Sequence, residues 1–413
     1  MSGGFPAASA RSTRKSTGGG ERSLNGGRVP YDHAMRSRPE RLQRLPQQYF
    51  VALLGRVAAA AAQDGPPLVD LGRGNPEAGP PAHVVEALRA AALEPDVHGY
   101  APIRGLQRTK EAIAARYRDV YGVELDAESE VALIPGTKTA IVELALSLCD
   151  DGDTLLLPDP YYPDYPSGPA LAGARIATVP LRPDEGWSPD LDAAPDAAAL
   201  YLNYPSNPCA VCARPGTFEG AVRWAGRSGG AVVHDAAYMD IVFDGRAPES
   251  FLATPGAKAV GVEMWSMSKT YGMAGWRVGF VLGNAEIVER INLLNDHSRV
   301  GLFAPIQAAT IAALEGPQDS VAERVDAYAR RRELLADALP EPIVCEGTFF
   351  VWLRLPEGLT AEVLLTEHRV AVAPGEGFGP SGTGWARLSL AVSDEAIALG
   401  AERLQRAFAG VAA

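Results

Sequence analysis

The densest chemical signal in this 413-residue chain is the stretch Ser266-Met-Ser268-Lys269-Thr-Tyr-Gly-Met-Ala-Gly275-Trp276-Arg277-Val-Gly279. Lys269 directly follows a short apolar run that reads as a buried strand. An ammonium is costly to bury, so a lysine there either snorkels out from the strand end or has its amine used covalently. Covalent use needs a lowered pKa, which a partly desolvated, cationic site supplies. Two serine hydroxyls and Arg277, eight residues on, form a donor set suited to a phosphate dianion. Pro135-Gly136-Thr137-Lys138 adds a glycine turn at the start of a helical pattern, a natural phosphate cradle. Asp235, in His234-Asp235-Ala236-Ala237-Tyr238, precedes Lys269 by 34 residues and ends a strand pattern. Most aspartates in such positions are caps or solvated loop residues. Arg387, in Trp385-Ala-Arg387-Leu-Ser-Leu, offers a planar fork that matches a carboxylate. Its ordinary alternative is a strand arginine facing water.

Taken together, these segments resemble the class I/II aminotransferases of pyridoxal 5′-phosphate (PLP) fold type I. The family pattern S-x-S-K-x-x-x-x-x-G-x-R-x-G is present without a gap, and the likeness runs over about residues 41 to 410. The resemblance implies that Lys269 holds PLP as a Schiff base, and that Ser266, Ser268 and Arg277 bind its phosphate with Gly136, Thr137 and Lys138. It implies that Asp235 pairs with the pyridine nitrogen. A carboxylate there raises the pKa of that nitrogen, and the protonated ring then draws electrons from the substrate Cα. Tyr238 and Asn207, the latter in Asn203-Tyr-Pro205-Ser-Asn207-Pro208, match the donors to the cofactor's 3′-oxygen. Tyr162 matches the ring that stacks on the cofactor, with Tyr161 beside it as the alternative. Arg387, with Asn207 and the backbone at Gly74, matches the clamp for the substrate α-carboxylate. Tyr100 resembles a tyrosine that reaches the neighbouring subunit's phosphate, which implies a homodimer with shared sites. Arg41–Pro46 and the stretch from Phe243 to Leu252 look closest to the LL-diaminopimelate and alanine-type subgroup.

The elements needed to position these residues are legible as alternating strand and helix patterns. Thr137–Cys149 reads as a helix. Thr154–Leu157, Arg175–Pro180, Ala199–Asn203, Ala231–Asp235 and Glu263–Ser266 read as strands. This alternation predicts an α/β fold, a mainly parallel sheet covered by helices, with ligands gathered at the carboxyl ends of the strands. Val321–Leu339, Thr348–Leu355 and Asp394–Phe408 read as a smaller α+β domain. The expected division is a disordered basic extension over 1–44, a segment over 45–75 that packs with the small domain, a PLP-binding large domain over 76–300 and the small domain over 301–413.

Composition narrows the function classes. The extension carries nine Lys or Arg against three Asp or Glu, so it is about +6 within a chain of net charge −12. Too little of it is apolar for it to order itself. Its bias also resembles a transit peptide, although apolar positions at helical spacing are lacking, and a third reading is a docking arm for the partner subunit. The acidic remainder argues against nucleic-acid binding. No apolar run is long enough to span a membrane. Four cysteines are too few for a disulfide framework, so the expected setting is a reducing, cytoplasmic one. Cys209 and Cys212 form a CxxC without the further ligands that zinc needs, and no metal is expected.

Three departures from the family pattern bear on specificity. Cys209-Ala210 replaces the usual Thr-Gly, and losing the glycine removes easy access to positive φ, so another loop path is expected there. Glu376 stands where a small residue is common. Asp296-His297-Ser298-Arg299 reads either as a solvated helix face or as a reader of a polar substrate side chain. The expected reaction is transfer of an amino group from an amino acid to a 2-oxo acid in two steps. The alternative is a PLP-dependent lyase or a replacement or C–C bond-forming enzyme, since the residues that bind the cofactor do not decide the fate of the Cα carbanion. A non-enzymatic regulator would need a DNA-binding domain, for which the N-terminal extension is too short and unpatterned.

Overall fold

The computed structural model describes residues 37–412. Its central sheet contains Val131–Ile134 (β1), Thr154–Asp159 (β2), Arg175–Pro180 (β3), Ala199–Asn203 (β4), Ala231–Asp235 (β5), Gly261–Ser266 (β6) and Gly279–Gly283 (β7). The spatial order is β1-β7-β6-β5-β4-β2-β3. β7 runs antiparallel to both neighbours, and the remaining pairings are parallel. Most strand residues are buried and apolar, as expected for a sheet covered on both faces. Sequence patterning identifies β2 to β6. It does not identify β1 and β7.

The register gathers the chemistry on one edge. β4 and β5 end side by side, with Asn203 opposite Asp235. Because β7 is reversed, its first residue, Gly279, lies opposite both Ser266 and Ile134. The Pro135-Gly136 turn is thereby brought next to the end of β6.

The helices that matter below are Tyr49–Ala61 (α1), Ala82–Ala91 (α2), Gln107–Tyr121 (α3), Thr137–Leu148 (α4), Ala304–Glu315 (α5), Asp319–Ala338 (α6) and Asp394–Ala412 (α7). α5 packs on α2 and α3, whereas α6 and α7 pack on each other. Beside α6 and α7 lies a small antiparallel sheet of Phe350–Arg354 (β8), Ala373–Pro374 (β9) and Trp385–Ser389 (β10), ordered β9-β10-β8. Val69–Asp70 pairs in parallel with Val370–Ala371, which ties the N-terminal segment to the C-terminal elements.

Residues 1–36 of the N-terminal extension lie outside the described residues. The end of the expected disordered stretch is ordered: Glu40–Gln43 forms a helical turn that packs on the helix Ser167–Ala172. Glu40 in its first turn complements the positive end of the helix dipole.

Candidate active site

A cavity of about 430 Å³ opens at the carboxyl edge of the central sheet. It is lined in part by Gly74, Thr137, Lys138, Tyr162, Asn207 and Asp235, and also by Tyr238, Lys269 and Arg387. Nine residues singled out from sequence thus converge on one space.

β6 delivers Lys269. The Ser266 side chain accepts from Ser268 N at 3.1 Å and starts the short helix Met267–Thr270. The Lys269 amine donates to Gly74 O at 2.7 Å and lies 5.3 Å from the Phe349 ring centroid. Burial first, then the positive charges of Arg387 and Arg277, push its pKa down to about 8, and Asp235 opposes the shift. A larger share of the amine is therefore neutral near physiological pH than for an ordinary lysine.

β5 delivers Asp235. Its Oδ2 accepts from the Tyr165 hydroxyl at 2.8 Å and its Oδ1 from Ala237 N at 3.2 Å. Burial still holds its pKa above the usual carboxylate range, against both hydrogen bonds. Such a carboxylate gains from a cationic N–H placed against it. Tyr238, three residues on, is pushed well up by burial, partly offset by Arg387 and by a hydrogen bond with Asn207.

β10 delivers Arg387, 1% exposed. Nη1 donates to Asn207 Oδ1 at 2.8 Å and Nη2 to Gly72 O at 3.1 Å. Its Nε is buried without a hydrogen-bond partner among the described residues. The guanidinium carbon lies 3.9 Å from the Phe350 ring centroid and 4.9 Å from that of Phe378. Burial pushes its pKa down to about 10, and only tyrosines oppose this. A buried guanidinium that faces rings and amides, with no carboxylate paired to it among the described residues, can take an anion as partner.

The expected phosphate residues are placed unevenly. Gly136 has φ +84°, and a Cβ there would lie 2.2 Å from Arg277 Nη2, so the glycine makes room for the guanidinium. Arg277 itself sits at φ +58° and donates to Ala274 O and Pro135 O. Thr137 lines the cavity at the start of α4. Lys138 also lines it, but its amine pairs with Asp164 at 2.8 Å. Tyr100 is not brought to the cavity, being 91% exposed. Of the two adjacent tyrosines, Tyr162 lines the cavity and Tyr161 does not. A helix N-terminus, a glycine cradle beside an arginine, a low-pKa lysine and a buried aspartate together fit PLP.

The departures resolve differently. The loop after Asn207 keeps a left-handed residue in spite of the missing glycine: Ala210 has φ +57° and is fully buried. The positive φ is reached without a glycine, and Ala210 is held from both sides. Its N–H donates to Ser206 O at 2.8 Å, and its carbonyl accepts from Glu346 N at 2.7 Å and Gly347 N at 3.1 Å. Cys209 and Cys212 are free, buried thiols. Asp296 pairs with Arg104 at 2.7 Å and Arg299 with Glu143 at 2.7 Å. Glu376 is exposed and does not line the cavity.

Sequence reasoning missed Tyr165, although it lies in the same Asp159–Tyr165 segment as Tyr162. It also missed Phe50, Leu53, Leu54 and Val57 of α1, all cavity-lining. Their i, i+3, i+4, i+7 spacing was the available signal, and such a stripe ordinarily reads as core.

Comparison with known proteins agrees with this geometry. Residues 66–404 match the family model for aminotransferase class I and II. The L-glutamine–4-(methylsulfanyl)-2-oxobutanoate aminotransferase of Bacillus subtilis is 44% identical over 88% of this chain and 94% of its own. An LL-diaminopimelate aminotransferase of Moorella thermoacetica is 37% identical over 89% and 97%. The substrate-bound structure of BacF from Bacillus subtilis superposes with a TM-score of 0.84 at 35% identity, covering 91% of this chain and 98% of its own. With a family match across most of its length and with this cavity, the chain belongs to the class I and II aminotransferases and is a pyridoxal 5′-phosphate-dependent transferase of amino groups.

Proposed function

We propose that Lys269 carries the cofactor and moves the proton at the substrate Cα, while Arg387 holds the α-carboxylate of the amino acid. The observation that carries this reading is one cavity containing both a lysine amine pushed down to about pKa 8 and a buried guanidinium without a carboxylate partner. PLP, when bound, supplies an electrophilic carbon for amines and a ring that accepts the electron pair released at Cα. Asp235 holds the proton on the ring nitrogen, and Tyr165 and Ala237 N–H steady that carboxylate. Tyr238 and Asn207 donate to the 3′-oxygen. Ser266, Ser268, Arg277, Thr137 and the backbone around Gly136 take the phosphate, with Lys138 at the edge and Tyr100 reaching across from a second subunit. Asn207 also orients Arg387 through its 2.8 Å hydrogen bond. A free lysine amine of depressed pKa at this position would be suited to take the Cα proton and hold it for return.

A homodimer is supported by an exposed apolar face. Tyr100, Ile103, Val300 and Phe303 are all exposed. The two segments touch, with His98 and Phe303 ring centroids 6.3 Å apart. Four free, buried cysteines support a reducing, cytoplasmic setting. Among the described residues no helix is long and apolar enough to cross a membrane.

The test is amino transfer from a panel of amino acids to a panel of 2-oxo acids, with borohydride reduction and peptide mapping of the cofactor. New amino acids and a label on Lys269 are expected. A label on any other lysine sinks the assignment.

A further inference from the structure

The charged groups around the cavity can be accounted for one by one. Asp70 and Arg73 form an ion pair with each other. Lys138 pairs with Asp164. Asp235 and Lys269 are committed to the cofactor, and Arg387 to the α-carboxylate, in the reading above. Within one subunit, no lining charge among the described residues is left to meet a charge on the substrate side chain.

What remains is an apolar wall. Phe50, Leu53, Leu54 and Val57 present one stripe of α1 to the cavity, joined by Ile141 of α4. The wall begins at the carboxylate clamp, since the Phe50 ring centroid is 5.3 Å from the Arg387 guanidinium carbon and 5.9 Å from the Tyr162 ring centroid. It is also fixed in place. The Gln48 side chain accepts from Phe50 N and Val51 N at the start of α1, and its amide donates to Asp164. The Tyr49 hydroxyl donates to Pro374 O at 2.8 Å. The Tyr49 ring fills space left by Gly377, where a Cβ would lie 1.9 Å from it.

We infer that the amino acid preferred by this site carries an uncharged, apolar side chain, read by Phe50, Leu53, Leu54 and Val57. An ionised side chain lying on this wall would lose its water without gaining a partner, whereas an apolar one buries its surface at no such cost. The inference rests on the placement of Lys269 and Arg387 proposed above, and two measurements separate its failure from failure of that placement.

The first is spectral titration of the holoenzyme with methionine, leucine, phenylalanine, aspartate, glutamate and lysine. At least a tenfold preference for the three apolar amino acids is expected. A preference for aspartate, glutamate or lysine overturns the inference and leaves the transferase reading intact. No spectral change with any amino acid overturns both. The second is binding of unreactive carboxylates to the holoenzyme, which needs no turnover. 4-Methylpentanoate is expected to bind at least tenfold more tightly than succinate, and the reverse order overturns the inference. Leu54 is half-exposed, so Leu54→Arg is compatible with folding. In that variant the ratio of 4-methylpentanoate to succinate affinity should fall at least tenfold. An unchanged ratio in a folded variant removes α1 from the specificity surface.

Discussion

The Tyr165 hydroxyl donates to Asp235 Oδ2 at 2.8 Å, and both groups are buried. The sequence motif around Lys269 gives no hint of this contact, yet it sets the environment of the carboxylate proposed to hold the cofactor ring. A donor to the ionised form lowers the pKa of Asp235, against the burial that raises it. In Tyr165→Phe that pKa rises further, so Asp235 loses its charge at a higher pH. The acid limb of the pH profile of kcat/KM should move upward. A hydrogen bond to a charged group is worth about 1.5–3 kcal/mol, so a fall on the order of tenfold or more is expected at neutral pH. A profile that keeps its acid limb in place would show that Tyr165 only fills space.

Arg387 should report on the α-carboxylate. Removing one partner of a buried, hydrogen-bonded charge pair costs about 2–5 kcal/mol, so Arg387→Ala should lose roughly 30-fold or more in kcat/KM. Arg387→Lys should recover part of this, because an ammonium cannot match the planar fork. The corresponding amine without a carboxylate should lose far less in Arg387→Ala than the amino acid does. Equal losses for both compounds would make the arginine structural.

Lys269 should betray its environment through pH. Its pKa is pushed down to about 8 by burial and by two arginines. The neutral amine therefore accumulates as pH rises through about 8. The rate at which cofactor-free protein captures PLP should climb over that range and level off above it. Stopped-flow absorbance measures this, and a rise that continues toward about pH 10, near the ordinary lysine value, would contradict the lowered pKa.

Ala210 occupies a left-handed conformation that disfavours a Cβ by roughly 1–2 kcal/mol. Glycine removes that strain but adds about 0.5–1 kcal/mol of chain entropy to the unfolded state. Ala210→Gly should therefore stabilise the fold by about 0.5–1 kcal/mol in denaturant titration, with an unchanged m-value. A destabilised variant would mean that the buried methyl contributes more than the strain costs.

The exposed face around Tyr100 and Phe303 should be buried between two subunits. Light scattering should give a dimer, and Phe303→Asp should shift it toward monomer with loss of activity. A monomer of full activity would show that each site is complete within one chain.

Much of this protein is legible in the sequence, because much of its chemistry is local. The spacing from Ser266 to Gly279 follows from one strand, one helical turn and a returning strand, so types and intervals alone point to a cofactor lysine. The parallel strands β2 to β6 are legible for a similar reason: they are short runs, mostly apolar and closed by polar or proline-containing loops, that alternate with helical patterns. Arg387 stands out only through the resemblance of its Arg-Leu-Ser setting to the family pattern.

Contacts between distant segments were decided only by the tertiary structure. Tyr165 meets Asp235 across 70 residues, and the wall of α1 reaches Arg387 from the other end of the chain. An amphipathic stripe has the same spacing whether it covers a core or a cavity, so patterning could not tell which surface α1 faces. The path of the loop at Ala210 was likewise not readable from the loop itself. Backbone hydrogen bonds from Glu346 and Gly347 hold it there, and their combined strength outweighs the local preference of an alanine for negative φ.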